Sequence, residues 1–113
     1  MKKDFSNKSG RIYRVDKFFV PDAAREEFIG RVRTTHEALR TVPGFLQDFV
    51  LEQASGPSEF NFITIVEWAG SESVETAKAT VAARHKEMNF NVQEFLVRLG
   101  IKADIGTYRD TGV

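Results

Sequence analysis

Segments of alternating or continuous apolar residues indicate four β-strands in this chain. The segment RIYRVDKFFV, residues 11–20, is rich in β-branched and aromatic residues and stops at Pro21, which is typical of a strand. Three further segments have the same character: FLQDFVLEQ (45–53), FNFITIVEW (60–68) and residues 101–109. Because only the short ASGPSE loop separates the second of these strands from the third, we expect the two to form an antiparallel hairpin.

Apolar residues recur at helical spacing in three segments between these strands. The first predicted helix comprises residues 22–41, with Asp22 as N-cap, and Pro43-Gly44 ends it. The second starts at Ser71 or Ser73 as N-cap and runs to about Glu87. In a short third helix Asn91 and Glu94 form a capping box and Gly100 is the C-terminal glycine. The order β-α-β-β-α-(α)-β predicts an α+β, ferredoxin-like domain whose four-stranded antiparallel sheet is covered on one face by two main helices. We expect residues 1–10 to be a flexible tail and residues 11–113 to form the domain.

Both faces of the predicted sheet are apolar. The third strand alternates between two apolar sets, with Phe60, Phe62, Val66 and Trp68 on one side and Ile63 and Ile65 on the other. Two helices cover one face only, so we expect a second copy of the chain to cover the other face in a homodimer. The first strand must turn either Arg14 and Asp16 or Lys17 toward the helices, and a polar dimer interior would explain these residues without catalysis.

The composition narrows the classes of partner and cofactor. The chain has 113 residues, 16 Lys plus Arg against 16 Asp plus Glu, and no cysteine. A net charge of zero argues against nucleic acid or a membrane surface as partner, and the missing thiols exclude disulfides and thiolate metal sites. Glycines are scattered singly, so no phosphate loop and no nucleotide cofactor is expected. The first ten residues lack the apolar run of a signal peptide, and we expect a cytoplasmic protein.

The two histidines are the first candidates for chemistry. His36 lies at the edge of the apolar stripe of the first helix, whereas His85, four residues after Val81, projects from the inward face of the second helix. His85 is either a satisfied, partly buried core residue or a general base or ligand at the wall of a cavity. Two histidines 49 residues apart do not form a protein metal site, although one histidine can ligate a haem iron.

Aromatic residues provide the candidate binding surface. Trp68 ends the strand that leads into the second helix; it is either a large core residue or presents its N–H group to a pocket. Phe62 and Thr64 share its strand face, giving an aromatic wall with one hydroxyl that suits a flat apolar ligand. Tyr13 and Tyr108 either donate or accept hydrogen bonds near the same pocket or bury their rings and leave their hydroxyl groups in water.

Three short motifs resemble the antibiotic biosynthesis monooxygenase (ABM) domain. They are Pro43-Gly44-Phe45 after the first helix, Val66-Glu67-Trp68 at the end of the third strand, and Ser71-Glu72-Ser73-Val74 at the start of the second helix. The resemblance covers residues 12–108. It implies a dimeric α+β barrel and an activity similar to that of cofactor-independent monooxygenases, which oxidise polycyclic phenols to quinones, or of haem-degrading oxygenases.

The resemblance also implies roles for individual residues. Trp68 matches the strand-end tryptophan of the family, Phe62 and Tyr13 would pack against substrate rings, and His85 would be the base, with no flavin or metal cofactor. Thr64 stands where quinone-forming members have Asn, and the first strand lacks the Asn of the haem-degrading members. The alternatives are a non-catalytic barrel that binds an apolar metabolite and a protein that binds haem through His85.

Overall fold

A computed structural model describes residues 10–113. Its elements are β1 (Ile12–Phe19), a 3-10 turn (Asp22–Ala24), α1 (Arg25–Leu39), β2 (Phe45–Glu52), β3 (Phe62–Trp68), α2 (Ser71–Glu87), α3 (Val92–Leu99) and β4 (Lys102–Tyr108). The strands form one sheet in the order β2-β3-β1-β4, and all neighbouring strands are antiparallel. This confirms the predicted α+β, ferredoxin-like fold and the β2-β3 hairpin. The predicted tail lies, apart from Gly10, outside the described residues.

Two of the predicted helix N-caps are wrong. Asp22 is the first residue of the 3-10 turn, whose N-cap position is held by Pro21, and the N-cap position of α1 is held by Ala24. Helix α2 already begins at Ser71, after Gly70, so neither predicted serine stands at the cap position. The third helix follows its prediction: the side chain of Asn91 accepts a hydrogen bond from the Glu94 backbone N–H at 2.9 Å, and Gly100 adopts a left-handed conformation with φ of 71°.

The strand register decides which residues of β1 face the helices. Ile12 pairs with Trp68, Arg14 with Val66, Asp16 with Thr64 and Phe18 with Phe62. These even-numbered β1 residues and their β3 partners lie under the helices, because side chains alternate between the two faces of a strand. Arg14 and Asp16 are therefore covered by the chain's own helices and do not lie on the face left open for a partner.

The helix-covered core consists of two groups of buried residues. One, here called the phenylalanine cluster, comprises Val20, Ala24, Phe28, Phe62, Phe95 and Ile101. The other, here called the tryptophan cluster, comprises Val42, Val66, Trp68, Val74 and Ala77. Along β1 and β3 the polar residues Arg14, Asp16 and Thr64 lie between the two clusters.

The opposite face of the sheet carries apolar side chains that the described helices do not cover. On β2, Phe49 and Leu51 are 46% and 47% exposed and pair with Ile65 and Ile63 of β3. Glu67 is buried on this same face because neighbouring side chains surround its carboxylate. In the described residues no helix is long and apolar enough to cross a membrane.

Candidate functional site

A cleft of about 350 Å³ lies between the sheet and helices α1 and α2. Its floor is formed by the strands and its walls by the helices, and its size suits a small organic molecule. The lining residues are Arg14, Asp16, Thr64, Val66 and Trp68 from the sheet, Thr35, His36 and Leu39 from α1, and Val74, Ala77, Lys78, Val81, Ala82 and His85 from α2.

A second hollow of about 180 Å³ adjoins this cleft under α1 and α3. The two share Asp16, Thr35, His36, Thr64 and His85 as lining residues, so they form two compartments of one cleft. The smaller compartment is otherwise mostly apolar, with four phenylalanines on its walls: Phe18, Phe28, Phe90 and Phe95.

Three of the residues singled out from the sequence meet in this cleft. Trp68 is buried and lines the larger compartment, and Thr64 and His85 border both compartments. Phe62 belongs to the phenylalanine cluster instead; its ring lies 5.2 Å from that of Phe28 and lines neither compartment. It supports the floor from within the core.

Tyr13 and Tyr108 lie on the open face of the sheet, so the expectation that they border the same pocket as Trp68 is corrected. They pair with each other across β1 and β4, on the face opposite to that of Arg14 and Asp16. The Tyr13 hydroxyl donates to Glu67 Oε2 at 3.2 Å, and burial together with this carboxylate raises the pKa of Tyr13. Tyr13 thus donates a hydrogen bond to the buried carboxylate of Glu67, on the sheet face that the helices do not cover.

His85 is held at the cleft wall by aromatic contacts. Its ring packs edge-on against Phe90, with 4.9 Å between ring centroids, and the guanidinium of Arg31 lies 3.7 Å from the centroid of the same phenylalanine. Partial burial and, secondarily, the charge of Arg31 lower the pKa of His85 below its ordinary value of 6.5. His85 is therefore neutral at pH 7 and able to accept a proton.

The sequence profile of one family, antibiotic biosynthesis monooxygenase, matches residues 11–85. This match spans more than half of the chain and includes every residue that lines the larger compartment. The chain belongs to the ABM family. No functionally curated protein matches it in sequence.

Solved structures share the fold of this ABM protein at low sequence identity. SnoaB from Streptomyces nogalater, a cofactor-independent oxygenase, is 19% identical with a TM-score of 0.67, covering 89% of this chain and 93% of its own. A conserved protein from Methanosarcina mazei Go1 is 18% identical with a TM-score of 0.71, covering 95% and 99%. A point mutant of MhuD, solved with two manganese protoporphyrin IX molecules per active site, is 18% identical with a TM-score of 0.68, covering 88% and 94%.

The ABM cleft of this chain also contains His36, a candidate to which the sequence analysis gave no role. His36 is buried at the cleft wall, and its Nδ1 lies 2.9 Å from Oδ2 of Asp48 on β2. Arg40 donates to both carboxylate oxygens of Asp48, at 3.0 and 3.2 Å. Burial acts to raise the pKa of Asp48, but the hydrogen bonds from Arg40 and His36 outweigh it, and the pKa is lowered. The ionised Asp48 therefore orients the His36 ring, as carboxylates do for catalytic histidines.

Arg14 and Asp16 form the polar floor of the cleft. Arg14 Nη2 lies 3.8 Å from Asp16 Oδ1, and each side chain is about a quarter exposed, at 24% and 26%. Burial raises the pKa of Asp16 above its ordinary value, although the charges of Arg14 and His36 act in the opposite direction. Asp16 is thus a partly desolvated carboxylate beside a cation, a combination that often marks functional sites.

The described residues do not provide a protein-ligated metal site, since no group of three potential ligands lies together among them. A haem would bring a large, mainly apolar surface into a cleft whose lining includes the carboxylate of Asp16. Covering a carboxylate with an apolar surface that offers it no hydrogen bond is unfavourable. The cleft floor therefore fits a smaller ligand with polar groups better than it fits haem.

Proposed function

We propose that this protein is a cofactor-independent monooxygenase that oxidises an aromatic or polycyclic small molecule with O₂ in the cleft between sheet and helices. The observation that carries the proposal is the cleft itself. One cleft holds the buried Trp68, mostly apolar walls and His85, whose lowered pKa favours the neutral imidazole. The family match supports an oxygenase, and SnoaB shows that a protein of this fold works without a cofactor.

The proposed chemistry balances without any added reductant. A ring CH₂ or phenolic group of the substrate loses a proton, and the resulting electron-rich anion passes one electron to O₂. The radical and superoxide combine to a peroxide anion, which takes back the proton and becomes a hydroperoxide. The hydroperoxide eliminates water and leaves a carbonyl: R₂CH₂ + O₂ gives R₂C=O + H₂O. All four electrons that reduce O₂ come from the substrate. The protein contributes a base, orientation of the rings and exclusion of water.

The cleft residues fit these tasks. Trp68 provides a rigid aromatic wall, and Thr64 offers one hydroxyl on the floor between the two compartments. His85 is the proposed base, because it is neutral and borders both compartments. Phe62 stiffens the floor from the core, as its ring packs against that of Phe28.

The test is oxygen uptake with a panel of dihydroxynaphthalenes and anthrones. We expect uptake above the uncatalysed rate for at least one compound, and a fall of about 100-fold or more in kcat for His85→Ala, the size expected for loss of a general base. Trp68→Phe should weaken substrate positioning and lower the rate as well. Lys86→Ala, an exposed change one residue from His85, is the matched control and should keep the wild-type rate.

Two alternative functions predict different results in oxygen-uptake and hemin-binding experiments. A non-catalytic barrel that binds an apolar metabolite would show no oxygen uptake with any compound of the panel. A haem-binding protein would shift the Soret band of added hemin, and His85→Ala would abolish that shift if His85 is the ligand. An unshifted hemin spectrum in the wild type removes the haem function.

We also propose that a second copy of the chain covers the open face of the sheet. The support is the apolar character of that face, where Phe49 and Leu51 are about half exposed although they lie in a regular strand. Light scattering after size exclusion should give twice the monomer mass, and Phe49→Asp should give the monomer. Val97→Asp, an equally drastic change at an exposed position of α3, should leave the dimer intact. A monomeric wild type at micromolar concentration would contradict the proposal.

A cytoplasmic location remains a prediction from the sequence.

A further inference from the structure

His36 presents one of its two ring nitrogens to the cleft. Nδ1 lies 2.9 Å from Oδ2 of Asp48, whereas Nε2 forms no hydrogen bond within the described part of the chain. Nε2 is nevertheless not sealed in the core, because in residues 10–113 the only sealed side-chain nitrogen or oxygen atoms without a partner belong to Arg14 and Asp16. His36 lines both compartments, so its Nε2 is accessible from the cleft.

Asp48 determines which nitrogen of His36 carries the proton. Burial acts to raise the pKa of Asp48, but hydrogen bonds from Arg40 and His36 lower it, so the carboxylate is ionised at neutral pH and can only accept hydrogen bonds. Nδ1 of His36 is then the donor, and in the neutral ring Nε2 keeps its lone pair. The charge of Asp48 also stabilises the imidazolium that forms when Nε2 takes a proton.

His85, on the other helix of the cleft, has different surroundings. Partial burial and the charge of Arg31 lower its pKa, so its ring holds a proton weakly. Such a base suits the first proton transfer of the proposed oxidation, in which the proton taken from the substrate is returned to the peroxide anion. A second transfer must follow, because the conversion of R₂CH₂ to R₂C=O breaks two C–H bonds of the same carbon.

We propose that His36, positioned by Asp48, catalyses this second transfer, which is the elimination of water from the hydroperoxide. Nε2 takes the remaining hydrogen of the carbon as a proton, the C–H electron pair forms the C=O bond, and the O–O electron pair leaves with hydroxide. The hydroxide takes the proton from the imidazolium and departs as water, so R₂CH–OOH gives R₂C=O + H₂O without an oxidant or reductant. The inference rests on the proposed function, since it places a hydroperoxide of the substrate in the cleft.

The position of His36 between the two compartments suits this step. All side chains that the compartments share are polar, whereas Trp68 lies on one side of them and four phenylalanines on the other. A tricyclic substrate whose reacting carbon lies between two aromatic rings can place its rings in the two compartments and its peroxide group at this polar junction. The carboxylate of Asp16 attracts a protonated His36 and so favours the imidazolium.

The test supplies the intermediate directly. The probe is 9-hydroperoxyfluorene, a tricyclic hydroperoxide with one hydrogen on the reacting carbon, and its conversion to fluorenone is followed by absorbance under nitrogen. Wild-type protein should accelerate the conversion, and His36→Gln should lower the protein-dependent rate about 100-fold or more, as expected for loss of a general base. Asp48→Asn, whose amide accepts the same hydrogen bond without the charge, should lower it about tenfold. Glu37→Gln, an exposed change one residue from His36, is the control and should keep the wild-type rate.

A second measurement reports on His36 in the wild-type protein. The chain has two histidines, so a long-range ¹⁵N–¹H NMR spectrum of untagged protein contains two ring systems, which His85→Gln assigns. At pH 8 the ring proton of His36 should be on Nδ1. A proton on Nε2 would overturn the inference, because that nitrogen could not accept another. If the fluorescence of Trp68 shows that His36→Gln is unfolded, Asp48→Asn provides the comparison of rates.

The two proposals fail separately. No acceleration by the wild type, or an acceleration that His36→Gln and Asp48→Asn both retain, would overturn the inference. Elimination by the wild type without oxygen uptake by any compound of the panel would refute the oxygenase and keep His36 as the base for elimination. Oxygen uptake without elimination would refute the role of His36 and keep the oxygenase.

Discussion

Removal of the Asp48 carboxylate should destabilise the protein mainly through His36. Asp48 accepts one hydrogen bond from His36 Nδ1 and two from Arg40. The side chain of Arg40 is 52% exposed, so water replaces its lost bonds, but the side chain of His36 is only 7% exposed. In Asp48→Ala the His36 N–H group therefore remains buried without an acceptor.

The expected loss of stability in Asp48→Ala follows from the difference in exposure between His36 and Arg40. A hydrogen bond to a charged group is worth about 1.5–3 kcal/mol, and an orphaned buried donor costs about 1–3 kcal/mol. We expect Asp48→Ala to lower the free energy of unfolding by about 2–3 kcal/mol. Arg40→Ala, which removes the exposed partner of the same carboxylate, should cost less than about 1 kcal/mol. Asp48→Asn, which keeps an acceptor for His36, should lie between them.

The pH dependence has a definite sign. The pKa of Asp48 is lower in the folded chain than its ordinary value of 3.8, so the folded state favours the ionised form. Its contribution is complete above that value and is lost as the pH falls through the lower, folded pKa. The part of the stability difference between wild type and Asp48→Ala that comes from the ionised carboxylate should therefore shrink as the pH falls below about 3.8.

The assay is urea unfolding followed by the fluorescence of Trp68, which is the only tryptophan of the chain and is buried. Slopes of the unfolding transitions should agree between variants, so that midpoint shifts report stability. If Asp48→Ala costs no more than Arg40→Ala, His36 does not depend on this carboxylate and the reasoning fails.

Three further predictions use the same unfolding assay. Gly44→Ala should destabilise the protein by more than about 1 kcal/mol, because the φ angle of Gly44 is 92° and a new Cβ would clash with the Ser73 hydroxyl. Gly30→Ala, in open space on α1, should stabilise the protein by about 0.5–1 kcal/mol. Equal effects of the two substitutions would refute this argument from backbone conformation. Phe28→Ala should cost about 3–5 kcal/mol, since its buried ring contacts two others at 5.0 and 5.2 Å, and a loss below about 1 kcal/mol would mean that the phenylalanine cluster is not the core. Glu67→Gln should lower stability at pH 7, because hydrogen bonds to the Glu67 carboxylate outweigh the effect of its burial and lower its pKa. The stability difference should disappear as the pH falls below about 4.5, and a pH-independent difference would contradict this prediction.

The pattern of apolar residues was sufficient to predict the strand and helix order, but not to decide between the two faces of β1. Side chains of odd and even number alternate across a strand, and both sets in β1 contain apolar residues. Only the pairing of Ile12 with Trp68 determines that Asp16, and not Tyr13, shares the cleft with Trp68. The misplacement of Tyr13 and Tyr108 has this one cause.

The role of His36 was missed for a different reason. Its partner Asp48 lies on another element, and pairing between elements depends on tertiary packing that a single sequence does not display. A signal was nevertheless present: Asp48 interrupts the apolar segment FLQDFVLEQ at a strand centre, where a carboxylate is unfavourable unless it is paired. A buried acid in such a segment is a reason to search for a histidine or arginine on the preceding helix.

The division of the core argues that the polar floor is maintained for binding. Apolar residues at the positions of Asp16 and Thr64 would join the phenylalanine and tryptophan clusters into one continuous core and close the cleft between them. Such a core would be more stable, because burial of a charged group with an unsatisfied oxygen opposes folding. Arg14, Asp16 and Thr64 at the centre of the sheet are therefore a destabilising arrangement. Sites where a sequence departs from good packing are expected to be functional sites. Asp16 and Thr64 border both compartments and Arg14 lines the larger one, so a ligand that fills the cleft must contact them.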